Sequence, residues 1–238
     1  MKKKTGLITL LMSFFMVFTF AGCDLSSFFN PSKEKQIEKV YNQYVAYAQE
    51  NGITPLSYEE WLETIKGESV EKIGIRAFTE CQNLVTVDFP TLENIGEYAF
   101  SNSSIKEVNL PKVTDIGSNA FNGCNNLETA ILPNAETVGI GAFRNCKSLK
   151  TVDLSSVTKI SANAFRNSAI EIIQIDNVEE IGNYAFAGNA NLISVFFPNL
   201  VSTGSYVFQN CPLLKYVYLP KLEDKYEEFD FVSCSRCW

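Results

Sequence analysis

Cysteine is the residue type whose placement most suggests chemistry in this chain. The stretch IGSNAFNGC, residues 116–124, places Cys124 at the end of a small glycine-containing turn, where a thiol could act as a nucleophile. Cys81, Cys146 and Cys211 follow similar stretches. The chain has 238 residues and no histidine, so the usual base for activating a thiol is absent. The first question is therefore whether these cysteines serve catalysis or packing.

The remaining candidates for chemistry are weaker. Cys234 and Cys237 form a C-x-x-C pair, which is half of a zinc site or the spacing of redox thiols. No histidine or second pair accompanies them, so a local disulfide in a C-terminal cap, residues 225–238, is the favoured interpretation. Acidic pairs at 59–60, 179–180 and 227–228 fit solvated surfaces. Catalytic motifs such as a P-loop or G-x-S-x-G are absent from the sequence. We therefore expect that the protein is not an enzyme and binds neither a metal nor a cofactor.

The N-terminus has the pattern of an export signal. Lys2–Lys4 precede an apolar run, Leu7–Phe20, that is too short for a comfortable membrane span. The run ends in FAGC and resembles a bacterial lipoprotein signal, with Phe20 where leucine is usual. The resemblance implies cleavage after residue 22, lipidation of Cys23 and a tether over 23–31. The alternative is a plain signal peptide that contains a buried cysteine.

Net charge and composition limit the classes of molecule that this protein could bind. The formal net charge is −7, and no basic cluster follows the first four residues, so we expect no nucleic-acid partner. Removing residues 1–22 would remove three lysines and no acid, which leaves a more acidic chain. An acidic body is repelled by an anionic membrane, so a lipid on Cys23 would tether a domain that stands in solvent, outside the cytoplasm.

Residues 32–67 are predicted to form a helical hairpin. Ile37, Val40 and Tyr44 recur at helical spacing, and Ser57 with Glu60 forms a capping box for a second helix. We expect this hairpin to form an N-terminal cap on the domain that begins near residue 73.

From residue 73 the chain repeats itself. Seven units of 21 or 22 residues succeed one another without a break. They cover 73–94, 95–115, 116–137, 138–159, 160–180, 181–202 and 203–224. A period of this length with an L-x-x-V-x-L core predicts a leucine-rich-repeat solenoid, in which stacked units share one core.

The full pattern, I-G-x-x-A-F-x-x-C-x-x-L-x-x-V-x-L-P, resembles the BspA-like leucine-rich-repeat family of bacterial surface proteins. The fold class expected is an α/β solenoid, a right-handed coil with a parallel β-sheet on one face and a small helical N-terminal cap. The seven phenylalanines of the Ala-Phe pairs should stack inside the coil. The cysteines share one position with Ser103 or Asn102 in the short unit, and with Ser168 and Asn189, which predicts small, reduced, buried groups near backbone donors.

Residues that alternate outward along the strands are the candidate binding positions. The pairs are Thr86/Asp88, Glu107/Asn109, Thr129/Ile131, Thr151/Asp153, Ile172/Gln174, Ser194/Phe196 and Tyr216/Tyr218. The first four pairs are mostly small polar or acidic residues. The last three carry Ile172, Phe196, Tyr216 and Tyr218, which we predict to form an apolar ligand-binding patch.

These features predict a lipid-anchored protein of the cell surface that binds without catalysis. The family resemblance implies adhesion to host or matrix proteins or to other cells. Two alternatives stay open: carbohydrate capture for an uptake system, with sugars stacked on Tyr216, Tyr218 and Phe196, and a structural spacer of the envelope.

Overall fold

The computed structural model describes residues 70–87 and 89–222, together with Asn42, Val45, Gln49, Thr54 and Ser57. The chain divides into two compact units, residues 1–69 and 70–238. Within the first unit, Asn42, Val45 and Gln49 are helical, at positions where the hairpin was predicted. The rest of the predicted cap, 32–67, and the segments 1–22, 23–31 and 225–238 lie outside the described residues, apart from Thr54 and Ser57.

The second unit is a parallel β-solenoid of about seven turns. Its described part has no helix, so the helical component of the predicted α/β class is not seen there. The strands are β1 (Lys72–Ile73), β2 (Asn94–Ile95), β3 (Glu107–Asn109), β4 (Asp115–Ile116), β5 (Thr129–Ile131), β6 (Thr137–Val138), β7 (Thr151–Asp153), β8 (Lys159–Ile160), β9 (Ile172–Gln174), β10 (Glu180–Ile181), β11 (Ser194–Phe196), β12 (Ser202–Thr203) and β13 (Tyr216–Tyr218).

A seven-stranded sheet that the sequence pattern did not predict joins the starts of the units. Its order is β1-β2-β4-β6-β8-β10-β12, with every pair parallel and in register from one unit to the next. The second residue of each strand is isoleucine or valine in six units, and its side chain is buried. The first residue faces outward, and Lys159 and Glu180 pair there at 2.8 Å.

The predicted face of longer strands is present, but it is not one continuous sheet. It consists of two three-stranded parallel sheets, β3-β5-β7 and β9-β11-β13, with Thr86 joined to Glu107 by an isolated bridge. No ladder pair joins β7 to β9 in the described chain. Val152 of β7 is half-buried there, whereas Ala130 and Ile173 are buried. The short unit 160–180 does not by itself explain the break, because the equally short unit 95–115 pairs on both sides.

The phenylalanine stack is confirmed as the centre of the core. Successive rings from Phe78 to Phe208 lie parallel, with centroids 5.2 to 5.8 Å apart. The five rings between the two ends are fully buried. Rings at this spacing gain both apolar burial and offset stacking. The stack therefore results directly from one phenylalanine at the same position of every unit.

Glycine at the start of most units lies where the backbones of neighbouring coils approach each other. Gly117 is not in the left-handed region. A Cβ built on it would lie 2.6 Å from the carbonyl oxygen of Ile95 and 2.7 Å from the carbonyl carbon of Gly96. Glycine is needed here because the backbones of neighbouring coils approach too closely for a side chain.

The left-handed conformation occurs instead in two columns, two and six residues after that glycine. Each column contributes one residue per unit, with φ between 55° and 75°. The first holds Arg76, Tyr98, Asn119, Gly141, Asn163, Tyr184 and Tyr206, and the second holds Glu80, Asn102, Gly123, Asn145, Asn167, Gly188 and Asn210. Asparagine and glycine tolerate this conformation best, which accounts for their frequency in the turns.

Candidate binding surface

Strands β9, β11 and β13 place the four predicted residues on one exposed face. Ile172 and Tyr216 are 64% and 66% exposed, Tyr218 is 49% exposed, and Phe196 is half-buried. The intervening residues Ile173 and Val195 point into the core, as the period of two requires. The structure therefore brings all four predicted residues together on neighbouring strands.

The parallel register sorts these side chains into two rows across the sheet. One row is Ile172, Ser194 and Tyr216, and the other is Gln174, Phe196 and Tyr218. In the second row the rings of Phe196 and Tyr218 stack with centroids 4.5 Å apart and planes 6° apart. Each of these rings therefore has one face already covered by the other.

The first row has a short side chain in its middle layer. Ser194 lies between Ile172 and Tyr216, and its short side chain leaves the space above its strand unfilled by this row. Neighbouring strands are about 4.8 Å apart, so Ile172 and Tyr216 stand roughly two such spacings from each other. We call the opening between them the Ser194 gap.

The other half of the longer-strand face is polar. Thr86, Glu107, Asn109 and Thr151 are exposed, and Thr129, Ile131 and Asp153 are half-buried. Asp88 lies outside the described residues. Asp153 accepts a hydrogen bond from the backbone N–H of Ser155 at 3.2 Å. The predicted contrast between a mostly polar half and a half with apolar residues is present, with Ile131 as the apolar exception in the first and Gln174 and Ser194 as the polar members of the second.

The shared cysteine position proves to be a hydrogen-bond donor site. In five successive units the residue at this position donates to the backbone carbonyl of the phenylalanine in the preceding unit. The bonds are Cys124 to Phe100 at 3.0 Å, Cys146 to Phe121 at 3.1 Å, Ser168 to Phe143 at 2.8 Å, Asn189 to Phe165 at 2.8 Å and Cys211 to Phe186 at 3.2 Å. The predicted backbone donors are also present, since backbone hydrogen bonds from Ser103 and Cys124 act on the Cys124 and Cys146 thiols in the direction that lowers their pKa. The position therefore faces both acceptors and donors, which thiol, hydroxyl and amide groups can satisfy.

Burial makes these thiols poor nucleophiles. Cys124, Cys146 and Cys211 are free and buried. Burial raises the pKa of the Cys124 thiol from its ordinary value of 9.0 to about 11, and the pKa of Cys146 is also raised, mainly by burial. A neutral, enclosed thiol is a packing group. Cys81, which we predicted to be reduced, is disulfide-bonded. It belongs to the first unit, where no earlier unit supplies the phenylalanine carbonyl.

Other chemical sites are not evident in the described part of the chain. No group of three or more Cys, Asp or Glu residues there could hold a metal ion. None of the helical segments in that part is long and apolar enough to cross a membrane. Cys23, Cys234 and Cys237 lie outside the described residues, so lipidation and the C-terminal disulfide stay predictions.

A second aromatic cluster, which the sequence pattern did not lead us to predict, lies in the first left-handed column. Tyr184 and Tyr206 stack with centroids 5.0 Å apart, and the guanidinium carbon of Arg166 lies 5.5 Å from the Tyr184 ring centre. Arg76 contacts Tyr98 in the same way, at 5.1 Å. Tyrosine two residues after the unit-start glycine in three units was the signal in the sequence. Stacking within the cluster makes it part of the turn structure.

The repeated parallel strands, shared phenylalanine core and exposed sheet define a leucine-rich-repeat solenoid. The family description "BspA type Leucine rich repeat region" matches in six copies, over residues 57–168 and 114–237. The chain belongs to the BspA-type leucine-rich-repeat family, as its repeat pattern predicted. Proteins of this fold are typically scaffolds for binding.

Solved structures agree with this assignment. A leucine-rich repeat protein from Bacteroides ovatus is 27% identical with a TM-score of 0.56, and the match covers 70% of this chain and 51% of that one. The T. pallidum leucine rich repeat protein is 29% identical with a TM-score of 0.56, over 60% of this chain and 71% of that one. The chain thus spans about half the length of the Bacteroides ovatus protein. No curated protein matches this chain.

Proposed function

We propose that this chain is a cell-surface adhesion protein that holds a protein ligand on the apolar patch formed by Ile172, Phe196, Tyr216 and Tyr218. The observation that carries the proposal is the exposure of these side chains on adjacent strands of an otherwise polar face. Exposed apolar clusters rimmed by polar residues are typical of interaction sites. Aromatic side chains supply most of the binding energy in such sites.

Binding of the full-length chain to a panel of matrix proteins and glycans tests this function. The variant Phe196→Ser/Tyr216→Ser/Tyr218→Ser should lose capture of the protein ligand. The matched control, Thr86→Ser/Thr129→Ser/Thr151→Ser, changes the polar half of the same face and should retain it. Urea unfolding of both variants checks that the fold survives. Equal capture by the two variants would contradict the proposal.

The same panel separates the alternatives. Capture of glycans alone, lost in the aromatic variant, would favour carbohydrate uptake. The exposed side chain of Tyr216, beside the short side chain of Ser194, is the feature that supports this second candidate. An absence of capture by the unaltered chain would favour a structural spacer of the envelope.

We propose that a lipid on Cys23 attaches the protein to the bacterial membrane, outside the cytoplasm. The support is the run Leu7–Phe20 followed by Ala21, Gly22 and Cys23. Two or more acyl chains give stable anchoring, whereas one gives marginal binding. Metabolic labelling with an alkyne fatty acid should mark the unaltered chain and spare Cys23→Ser. Labelling of both proteins would exclude Cys23 as the attachment site.

A further inference from the structure

The two rows of the patch both end in a tyrosine on β13 and differ in the side chain beside it on β11. In the row Gln174–Phe196–Tyr218 the middle strand contributes a ring that stacks on its neighbour at 4.5 Å. In the row Ile172–Ser194–Tyr216 the same strand contributes only a hydroxymethyl group. The Tyr216 ring therefore lacks, on the Ser194 side, the aromatic neighbour that Tyr218 has in Phe196.

We propose that the Ser194 gap receives one aromatic side chain of a protein ligand, which stacks on Tyr216 as Phe196 stacks on Tyr218. Basic side chains beside it in the ligand pair with Glu171 and Asp176. This inference rests on the proposed function and names the chemistry of its ligand. The gap is one strand layer wide, and about 4.8 Å per layer matches the 4.5 Å separation of the neighbouring stack.

Apolar walls favour an aromatic ring over a sugar in this gap. Ile172 stands opposite Tyr216, and Phe196 lies two residues along the strand from Ser194 on the same face. A pyranose would press hydroxyl groups against these apolar side chains, and polar groups that lose water without a partner cost free energy. An aromatic ring buries apolar surface and gains an offset stack on Tyr216.

Charge around the gap favours a basic ligand. Glu171, exposed, directly precedes Ile172. The Asp176 carboxylate accepts a hydrogen bond from Gln174 Nε2 at 3.1 Å, which holds it on the side of the sheet that carries the patch. Neither carboxylate forms a salt bridge with a residue of the described chain. The salt bridge found there joins Lys159 and Glu180. Lys215 precedes Tyr216, so the acidic side of the gap is the Ile172 side. Complementary charge there would speed association and orient the ligand.

A displayed library of random linear peptides, selected on the full-length chain, provides the probe. We expect selected peptides to share one aromatic residue with Lys or Arg close by. Ser194→Tyr, which fills the gap, should raise the dissociation constant of the best synthetic peptide by about tenfold or more. A tenfold increase is equivalent to about 1.4 kcal/mol of lost binding free energy. Ser194→Ala leaves the gap open and Thr86→Tyr adds the same ring elsewhere on the face, so both should retain affinity. Glu171→Gln should weaken binding at low salt and much less at high salt.

The outcomes separate this inference from the proposed function. Peptide binding that survives Ser194→Tyr but is lost in the Phe196/Tyr216/Tyr218 serine variant would overturn the gap inference and leave the proposed patch standing. Binding that survives both variants would overturn both. Failure to select any peptide, or glycan binding that is lost in Ser194→Tyr, would also overturn the aromatic assignment. Urea unfolding of Ser194→Tyr establishes that loss of binding is not loss of fold.

Discussion

The thiol of Cys146 donates a hydrogen bond to the backbone carbonyl oxygen of Phe121, one unit earlier, at 3.1 Å. The same carbonyl also accepts from the backbone N–H of Cys124 at 3.1 Å, so a change that removes the thiol donor takes away one of two buried hydrogen bonds to it. Cys146→Val, similar in size but without a donor, should lower the free energy of unfolding by about 0.5–1.5 kcal/mol, the net value of one hydrogen bond. Cys146→Ser retains a donor, as Ser168 does in the next unit, and should cost less. Urea unfolding of the two variants measures the difference, and equal losses would contradict a donor role.

The buried thiols also predict how stability depends on pH. Burial raises the folded-state pKa of Cys124 from 9.0 to about 11, so the folded chain holds this proton more tightly than the unfolded chain. The stability that the Cys124 thiol contributes is therefore fully present below pH 9 and is lost as the pH rises through about 11. Cys124→Ser, whose hydroxyl does not titrate in this range, should show a smaller fall in the urea midpoint over the same interval. An identical fall in the two proteins would show that Cys124 is not responsible.

Replacing Phe143 tests how much one ring of the phenylalanine stack contributes to the free energy of unfolding. Its ring lies 5.2 Å from Phe121 and 5.3 Å from Phe165, nearly parallel to both, and is fully buried. Phe143→Ala should lower the free energy of unfolding by about 3–5 kcal/mol, through lost burial and the cavity left behind. Phe78→Ala is the matched control, because Phe78 at the first end of the stack is half-buried. A larger loss from Phe78→Ala than from Phe143→Ala would contradict this ranking.

The break between β7 and β9 should be visible in amide hydrogen exchange. A parallel strand with a neighbour on one side leaves alternate N–H groups without ladder partners. Amides of β7 and β9 should therefore exchange faster than those of β5 and β11, each of which has a strand on both sides. Exchange measured residue by residue with NMR makes the comparison within one protein. Equal protection across the four strands would indicate a continuous sheet.

Much of the solenoid was predictable because each unit repeats the same constraints. Phenylalanine at one position of every unit predicted the stack from Phe78 to Phe208, and the period of two predicted which strand residues face outward. The second sheet was missed because its strands are only two residues long and lie directly beside the unit-start glycine. The glycine itself is explained by the approach of the Ile95 and Gly96 backbone to Gly117, and no local pattern reports such an approach.

The position shared by cysteine, serine and asparagine also shows what the sequence pattern predicts and what only the stacked coils reveal. Its sharing by Cys, Ser and Asn indicated a small polar group, yet the phenylalanine carbonyl that it contacts lies 24 or 25 residues earlier in the chain. Only stacking of the coils brings the two together, so the sequence alone did not show that this residue also donates to a carbonyl.

The sequence by itself determined the repeat, the family, the core phenylalanines and the four residues of the candidate patch, because each depends on the period along the chain. Tertiary structure decided which side chains become neighbours across strands. Parallel register stacks Phe196 on Tyr218 and leaves Ser194 between Ile172 and Tyr216, and that register is set by backbone hydrogen bonds between coils.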